Sequence, residues 1–390
     1  MPPEMPPLRI LHCLRAPVGG LFRHVRDLAE AQAEMGHAVG VLCDSVAHDA
    51  LTESRLAALR DYLALGLHRV PMSRDIGWRD VGAIRAARQL AHALRIDVLH
   101  GHGAKGGATA RLATGITRSA PTGSNWPLRF YTPHGGSLHY DPRSIKGAVF
   151  MTLERQLAGL TDGIIFESAF AARRYLEKVG RPTCETRVVA NGLRNEEFSA
   201  HVTAADATDL LFIGELRLLK GVDVLIDAIA LLSSRRRISA TVVGDGSDAA
   251  LFQDMAREAG LADRIVFTGA MPAAEAFSRG RVMVVPSRAE SLPYIVLEAA
   301  ARAMPLVATD VGGIPEIVKG TDTSLVAPGN AARLAEALDT ALADPAAAVA
   351  RALRLQDVIR RRFTIEAMAS NIVDFYRDVN ATRLSEPLRA

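Results

Sequence analysis

Two glutamates, Glu290 and Glu298, form the most chemically suggestive pair in this chain. They lie in the segment SRAESLPYIVLEAAARAMP, which follows the apolar run Val282 to Val285 and predicts a strand, a loop and then a helix. At the carboxyl end of a strand in an open α/β sheet, a loop carboxylate faces the ligand crevice and can accept hydrogen bonds from hydroxyl groups. Glu298 has apolar neighbours, so if buried it needs a polyhydroxylated or basic partner. The plain alternative is a solvated helix residue.

Two cations lie at a second predicted strand end. Arg217 and Lys220 belong to the segment GELRLLKG, between the predicted strand Leu210 to Ile213 and the predicted helix Val222 to Leu232. Two cations at the end of a strand suit a diphosphate, whose oxygens accept charge-assisted hydrogen bonds. Ordinary surface charge is the alternative interpretation.

Glycine-rich turns follow several other predicted strands. Gly19 and Gly20 precede the amphipathic helix pattern LFRHVRDLAEAQAEMG, where backbone N–H groups at a helix start suit a phosphate, unless the pair is a plain tight turn. The segment TPHGG places the imidazole of His134 beside two flexible glycines, which favours either a ligand contact or a structural histidine. A further glycine-rich turn, DVGGIPE, begins at Asp310.

The segment GHGAKG, Gly101 to Gly106, matches the glycine pattern of a dinucleotide-binding turn and follows a strand predicted to end at His100. The acid that would hold a ribose hydroxyl about 20 residues further on has no candidate in Pro121 to Pro127. The turn is also the fourth strand-to-helix turn rather than the first. We therefore predict an ordinary structural role, the close approach of two backbone segments.

Short apolar strands alternate with helical patterns along the whole chain, which predicts parallel, doubly wound sheets. The predicted strands are Arg9–Leu14, Ala38–Cys43, His68–Pro71, Asp97–His100, Phe130–Pro133, Gly163–Phe166, Arg187–Ala190, Leu210–Ile213, Ala240–Val243, Ile265–Thr268, Val282–Val285, Leu306–Ala308 and Ser324–Val326. Helices are predicted at Phe22–Met35, Val81–Arg95, Val222–Leu232, Leu251–Ala259, Pro345–Arg361 and Ile365–Val379, the last with Thr364 as its N-cap.

A chain of 390 residues exceeds the size at which one core stops growing, so two domains are expected, with the linker in Asn195 to Thr208. The predicted domains are residues 1–198 and 199–364, followed by a terminal helix over 365–390.

A net charge of +3 argues against a nucleic-acid partner. The chain has three widely spaced cysteines, Cys13, Cys43 and Cys184, and they form no CxxC motif. This pattern indicates a reducing compartment and no structural zinc site. No run reaches the ~18 apolar residues of a membrane span, so a cytoplasmic protein is expected.

In their order and spacing, these motifs resemble the retaining family 4 glycosyltransferases along nearly the whole chain. The resemblance is carried by the segments GGLFRHV, DVLHGHGAKGG, TPHGG, VVANGLRNEEF, FIGELRLLKGVDVLIDAI, VVGDGSDAALF, VFTGAMP, VPSRAESLPYIVLEAAARAMPLVATDVGGIPEIV and LVAPGN. Its most specific part is the family's E-x7-E signature, matched here by Glu290 and Glu298. The resemblance implies the GT-B architecture: two doubly wound Rossmann-like domains facing across a cleft, with the C-terminal helix crossing back to the first domain.

By this resemblance the first domain binds the acceptor and the second binds a nucleotide diphosphate-sugar. Glu290 would contact the donor sugar, Glu298 the ribose and Lys220 the diphosphate. His134 would lie near the reacting sugar, and the Gly19-Gly20 loop would close on the phosphates. The implied catalytic residues are His134, Lys220 and Glu290, and the implied substrate-binding residues are Gly19, Gly20, Arg217, Lys220, Glu290, Ser291, Leu292 and Glu298.

One departure concerns the cation site. The commonest family pattern, G-R-L-x-x-x-K-G, has arginine where this chain has Glu215. Arg217 would replace that cation if the preceding strand continued, because alternate residues of a strand share a face. A metal-dependent enzyme would typically offer a D-x-D pair, and the similar segment Asp245 to Asp248 has a different spacing. We therefore expect neither a metal nor a cofactor.

The implied activity is sugar transfer to an acceptor hydroxyl with retention of anomeric configuration, as in polysaccharide or glycolipid synthesis. The acceptor would be a saccharide or a lipid-linked molecule, met by basic loops such as His139 to Gly147, with peripheral contact at the inner membrane face left open. Two alternatives remain: a nucleotide-sugar epimerase of the same architecture, and a non-catalytic nucleotide-sugar-binding protein.

Overall fold

A computed structural model describes residues 6–46, 50–73, 75, 77–115, 126–200 and 202–385. The chain forms two compact units, the first comprising residues up to Gly192 together with those from Ile365 onward, and the second comprising Leu193–Thr364. The sequence places the first boundary at residues 198 and 199, whereas the units meet at Gly192 and Leu193. The reason is that the Leu193 amide donates to the carbonyl of Phe363 at 2.9 Å, which ties this segment to the second unit.

The described part of the first unit contains a parallel sheet of seven strands: β1 (Arg9–Cys13), β2 (Ala38–Asp44), β3 (Leu67–Val70), β4 (Val98–His102), β5 (Leu128–Thr132), β6 (Gly163–Phe166) and β7 (Glu185–Val188). They lie in the order β3-β2-β1-β4-β5-β6-β7. The inner strands β2, β1, β4, β5 and β6 are buried on both faces, as expected for a parallel sheet covered by helices, whereas the edge strand β3 is half-buried and the edge strand β7 is largely exposed.

The covering elements of the first unit are mostly helices whose apolar faces pack on this sheet. They are α1 (Gly19–Glu34), α2 (Ala50–Leu59), α3 (Trp78–Ala93), α4 (Gly103–Leu112), α5 (Ile145–Ala158), α6 (Ala169–Lys178) and α14 (Ile365–Ser385), with short 3-10 helices at Arg60–Tyr62 and Gly136–His139. Helix α14 shares one hydrophobic core with β1 and β5, where Ile372 and Phe375 lie among Ile10 and Phe130. The C-terminal helix therefore belongs to the first unit, as the sequence predicts.

The second unit repeats the same design. Its described strands are β8 (Thr208–Ile213), β9 (Ala240–Val243), β10 (Ile265–Gly269), β11 (Gly280–Val285), β12 (Leu306–Thr309) and β13 (Leu325–Val326). All of them are parallel, in the order β10-β9-β8-β11-β12-β13. The helices are α7 (Val222–Leu232), α8 (Ala249–Glu258), α9 (Ala273–Ser278), α10 (Tyr294–Ala301), α11 (Ile314–Val318), α12 (Ala331–Ala343) and α13 (Pro345–Arg362), with 3-10 helices at Asn195–Glu197 and Leu218–Lys220.

Each sheet has a point at which its strand order reverses. In the first unit this point lies between β1 and β4, and in the second between β8 and β11. Because the connections leave such a pair of strands in opposite directions, a crevice opens beyond their carboxyl ends, and ligands of open α/β sheets bind there. Among the described residues, no helix combines the length and the apolar character needed to cross a membrane.

Candidate functional site

In the second unit, the loop after β11 is held between two glycines. This loop, residues 286–293, is called the donor loop below. Gly221 has a φ of 73° and a Cβ there would clash with the carbonyl oxygen of Pro286. Gly312 has a φ of 63° and a Cβ there would clash with the carbonyl oxygen of Glu290. Only glycine adopts such a backbone without strain and allows so close an approach. The two glycines thus fix the donor loop beside the end of β8.

An ion pair joins the two strand ends that the sequence singles out. Lys220 Nζ donates to Glu290 Oε1 at 2.7 Å, and Ser287 Oγ donates to the same oxygen at 2.7 Å. The side chain of Glu290 is 9% exposed and that of Lys220 is 27% exposed. The pair therefore lies at the mouth of the crevice, where the ammonium group is accessible to a ligand.

Arg288 anchors the donor loop from its other side. Its backbone amide donates to the carbonyl of Leu219 at 2.8 Å, and its guanidinium donates to Asp223 Oδ1 at 2.7 Å. These bonds tie the donor loop to the segment that carries Lys220 and to the first turn of α7. The geometry of Lys220 relative to Glu290 is thus set by backbone contacts as well as by their own pairing.

Glu298 lies in α10, which is otherwise almost entirely apolar and buried. Its residue exposure is 9%, so the solvated alternative is wrong for this glutamate. The donor loop directly precedes α10 in the chain. The Gly313 amide holds this loop by donating to the carbonyl of Ser291 at 2.6 Å. The side chain of Leu292 is buried in the protein.

Arg217 does not lie on a continued strand. Strand β8 ends at Ile213, and Arg217 is the N-cap of the 3-10 helix Leu218–Lys220. Its guanidinium lies 3.5 Å from the carboxylate of Glu215, and both side chains are largely exposed. Glu215 stands where the family pattern has an arginine, and Arg217 is the residue expected to compensate for it. In the structure these two residues form an ion pair with each other.

The segment Asp245 to Asp248 supports this same loop. Asp248 Oδ2 accepts a hydrogen bond from the Leu218 amide at 2.7 Å, and the Leu216 amide donates to the carbonyl of Asp245 at 2.9 Å. The Asp248 carboxylate thus satisfies a backbone donor at the start of the 3-10 helix that carries Lys220.

In the first unit, the predicted residues lie at strand ends next to the order reversal. His134 follows β5 with a φ of 50°, and Gly135 continues the left-handed turn with a φ of 74°. A non-glycine residue in this region is uncommon and is concentrated at functional sites. Gly19 and Gly20 are exposed in the first turn of α1, and Gly19 has a φ of 68°.

Four buried histidine rings pack around the partly exposed ring of His134. We call these five residues the histidine cluster: His12, His24, His100, His102 and His134. His12 and His100 are directly paired in the β1–β4 ladder, and His102 follows on the same face of β4. His12 Nδ1 lies 2.9 Å from His102 Nε2, and His102 Nδ1 lies 3.1 Å from His134 Nε2. His12 Nε2 also bonds Gln32 Oε1 at 2.8 Å.

Burial keeps these imidazoles neutral. Loss of hydration lowers the pKa of His12 to about 4 and that of His24 to about 3, and it lowers the pKa of His134 to about 3. The pKa values of His100 and His102 are also lowered by burial and by the neighbouring rings. A neutral imidazole has one N–H donor and one lone pair, so hydrogen bonds decide which nitrogen carries the proton.

Sequence reasoning missed most of this cluster. Of its members, only His134 is predicted as a functional residue. The available signal was the alternation of His100 and His102, which places both rings on one face of a strand. The glycines around them do have the predicted structural role, since a Cβ at Gly106 would clash with the carbonyl of Cys13 in the neighbouring strand. Within Pro121 to Pro127, residues 121–125 lie outside the described residues.

Predicted site residues thus form one group in each unit. Lys220, Glu290, Ser291, Leu292 and Glu298, with Arg217 at the edge, lie around the β8–β11 reversal. Gly19, Gly20 and His134 lie around the β1–β4 reversal.

Comparisons with known proteins match both units. The family model described as Glycosyltransferase Family 4 matches residues 18–197, and the model described as Glycosyl transferases group 1 matches residues 207–344. A glycogen synthase of Mycobacterium tuberculosis is 29% identical over 393 residues, covering 92% of this chain and 91% of the relative. A GDP-mannose-dependent phosphatidylinositol monomannoside mannosyltransferase of the same organism is 26% identical, covering 71% of this chain and 76% of the relative.

The fold is also found in solved structures. HepE of Anabaena, solved in complex with UDP-glucose, superposes with a TM-score of 0.77 at 18% identity, covering 95% of this chain and all of the other. This likeness confirms the predicted GT-B fold. Given the two matching family models, the relatives that span most of the chain and the shared fold, this chain belongs to the group 1, family 4 glycosyltransferases.

Proposed function

We propose that this enzyme transfers a sugar from a nucleotide diphosphate-sugar to an acceptor hydroxyl with retention of anomeric configuration, and that its donor binds at the donor loop of the second unit. The observation that carries the proposal is the pairing of Lys220 with Glu290 at 2.7 Å beside the β8–β11 reversal. This arrangement offers a cation for the diphosphate and a carboxylate for sugar hydroxyls within one rigid loop pair.

Lys220 acts on the leaving group. An ammonium group has three N–H donors, and in the described structure Lys220 directs one of them at Glu290. We assign the others to the diphosphate, whose negative charge grows as the anomeric bond breaks. A cation held in place before the reaction stabilises that charge without reorganisation in the transition state.

Glu290 positions the sugar. Its Oε1 already accepts from both Lys220 and Ser287, so Oε2 is the oxygen we assign to a sugar hydroxyl. Glu298, close by in α10, is assigned to the ribose, because a carboxylate accepts from vicinal hydroxyls. His134 is assigned to the neighbourhood of the reacting sugar, in keeping with its strained backbone at the end of β5.

The chemistry that we propose is a front-face displacement. The acceptor oxygen forms a bond to the anomeric carbon on the face from which the diphosphate leaves. The electron pair of the broken bond goes to the leaving phosphate, and the acceptor's proton passes to an oxygen of that phosphate. In this route the enzyme's own cations and backbone N–H groups do what a metal ion would otherwise do, so neither a metal nor a cofactor is required.

We assign acceptor binding to the first unit and include a peripheral membrane contact. Helix α5 exposes Ile145, Val149 and Leu153 along one face, with exposures of 88%, 48% and 36%. Arg143 and Lys146 lie beside this apolar stripe and are exposed. An apolar stripe flanked by cations suits an anionic lipid surface. Sedimentation with anionic vesicles tests this contact, since Ile145→Ser/Val149→Ser should release the protein if the stripe binds them.

A donor panel tests the proposed function. UDP-glucose and GDP-mannose are natural first members, because HepE was solved with the former and a mannosyltransferase relative is named for the latter. A donor at 100 times its Kd should raise the free energy of unfolding by about 2.7 kcal/mol. Product analysis without acceptor distinguishes an epimerase, which would change the donor sugar. A donor that binds but is never consumed would indicate a non-catalytic binding protein.

A further inference from the structure

The histidine cluster of the first unit contains two groups of three rings whose nitrogens lie within 4.8 Å of one another. One group is His12, His100 and His102; the other is His24, His102 and His134. Three imidazoles converging on one point are a common ligand set for Zn²⁺ and similar divalent transition metals. The hydrogen bonds of each group decide which of them can accept an ion.

The first group is closed by its own hydrogen bonds. His100 Nδ1 lies 2.7 Å from the hydroxyl of Tyr376, and His100 Nε2 lies 2.8 Å from Thr132 Oγ1. His12 is engaged through Gln32 on one nitrogen and through His102 on the other. A metal here would have to displace several buried bonds at once.

The second group is open at His24. Its Nδ1 lies 2.9 Å from Asn191 Oδ1, and an amide oxygen only accepts, so the proton of the neutral ring is on Nδ1. The lone pair is then on Nε2, which is buried and has no hydrogen-bond partner among the described residues. A buried polar atom without a partner is rare and requires an explanation, such as a bound ion.

His102 also directs a lone pair into this group. Gln32 Oε1 accepts from His12 Nε2, which leaves the lone pair of His12 on Nδ1. His102 Nε2 must therefore carry the proton that joins it to His12 Nδ1. The lone pair of His102 is consequently on Nδ1, the nitrogen that faces His134. Gln32 and Asn191 thus set the tautomers of the two inner ligands, as outer-shell partners do in metal sites.

His134 is the third, partly exposed member. Its Nε2 lies 3.1 Å from His102 Nδ1, joined in the absence of metal by the proton on His134 Nε2. Two imidazole nitrogens that share a tetrahedral Zn²⁺ lie roughly 3.3 Å apart, so an ion fits between them with a small ring movement. His134 then moves its own proton from Nε2 to Nδ1 through solvent, and no net proton is released.

We propose that His24 Nε2, His102 Nδ1 and His134 Nε2 form a binding site for Zn²⁺ or a similar divalent transition metal, with its fourth position open to solvent. The site shares no residue with the proposed diphosphate site of the second unit. It is not required for the reaction. Its consequence rests on the proposed function: a bound ion takes His134 away from the reacting sugar, so Zn²⁺ should inhibit a transferase that works without metal.

Binding is tested with Zn²⁺ alone, on full-length protein without a histidine tag after chelator treatment. Calorimetry should show one saturable site, and Co²⁺ should give the visible absorption of a low-coordinate nitrogen site. His24→Gln should weaken binding at least tenfold. Gln32→Leu, which frees the His12 tautomer, should weaken it on the order of 10-fold to 100-fold. The matched control is His92→Gln, an exposed histidine of α3, which should leave affinity unchanged.

The outcomes are distinguishable. Failure of wild-type protein to bind Zn²⁺ or Co²⁺, or equal affinity in wild type and His24→Gln, would overturn the site and leave the cluster as a hydrogen-bonded core. Should Gln32→Leu fold poorly by circular dichroism, His24→Gln and the Co²⁺ spectrum decide alone. Because binding is measured without any donor, these results do not depend on the proposed function. Binding without inhibition of transfer would contradict only the assigned role of His134.

Discussion

Lys220 Nζ and Glu290 Oε1 lie 2.7 Å apart, although their residues follow different strands, β8 and β11. The pair bridges the point at which the sheet of the second unit reverses its order. A ligand that binds there meets a positive and a negative group in a fixed relation. Removing either residue should therefore affect both donor binding and turnover, and the effects of removing the two residues should not be additive.

Lys220→Ala and Glu290→Ala should both retain the fold and lose about 10²–10³ in kcat, because each removes a group that stabilises or positions the transition state. The double variant should lose less than the product of the two single losses, since the residues act as a unit. Steady-state kinetics with the cognate donor provide the measurement. Arg237→Ala removes an exposed surface ion pair of the same unit and serves as the control. Wild-type rates in either single variant would exclude that residue from the reaction.

Glu298→Ala should weaken donor binding more than Glu298→Gln does. Glutamine keeps an acceptor oxygen for a ribose hydroxyl, whereas alanine removes it and leaves a cavity beside α10. Titration calorimetry with the nucleoside diphosphate measures both affinities without turnover. Unchanged affinity in the two variants would remove Glu298 from the site.

Gly221→Ala should destabilise the second unit more than Gly269→Ala. The two glycines have nearly the same φ, 73° and 74°. A Cβ at Gly269 meets nothing within 4 Å. The free energy of unfolding of Gly269→Ala should therefore fall only by the cost of placing alanine in a left-handed backbone, about 1–2 kcal/mol. A Cβ at Gly221 clashes with the Pro286 carbonyl and must also displace the donor loop. Chemical denaturation of both variants, compared with wild type, measures the difference. Equal losses of unfolding free energy in the two variants would mean that the donor loop can move aside at little cost.

The stability of the metal-free protein should fall on acidification from about pH 6.5 to about pH 4. Burial lowers the native pKa of His12 to about 4 and of His24 and His134 to about 3, while in the unfolded chain each is near 6.5. Below 6.5 the unfolded chain therefore binds more protons than the native chain, and stability is fully present only above that pH. For His12, His24 and His134 together, the slope of the unfolding free energy against pH should approach the value for an uptake of about three protons on unfolding. Denaturant titrations across this range should show a shallower slope for His24→Gln than for His92→Gln, and a flat profile would disprove native-state neutrality.

Transfer should proceed in excess EDTA. The donor loop and the segment before α7 supply cations, so no divalent ion is needed to neutralise the diphosphate. Initial rates with cognate donor, before and after chelation, provide the measurement. Loss of activity on chelation with recovery in Mg²⁺ or Mn²⁺ would overturn the proposed donor site.

Local sequence patterns were sufficient for the strands and for six of the helices, and the order of the motifs was sufficient for the family. Apolar runs predict the strands because a parallel sheet buries both faces, and each predicted run coincides with an observed strand to within a few residues. The apolar run before Glu290 and the helical pattern after it also placed Glu290 on a loop and Glu298 on a helix, as the structure has them. Such features depend on a few consecutive residues, which is why a single sequence carries them.

The tertiary structure decided which distant residues meet. His12 and His100 pair only through the register between β1 and β4, which no local pattern specifies. Lys220 meets Glu290 because the donor loop fits between Gly221 and Gly312, whose need for glycine arises from backbone atoms far along the chain. Arg217 pairs with Glu215 because β8 ends earlier than a compensating arginine would require. The first two contacts join residues far apart in the chain, and a one-dimensional pattern cannot encode that proximity, whereas the third depends on where β8 ends.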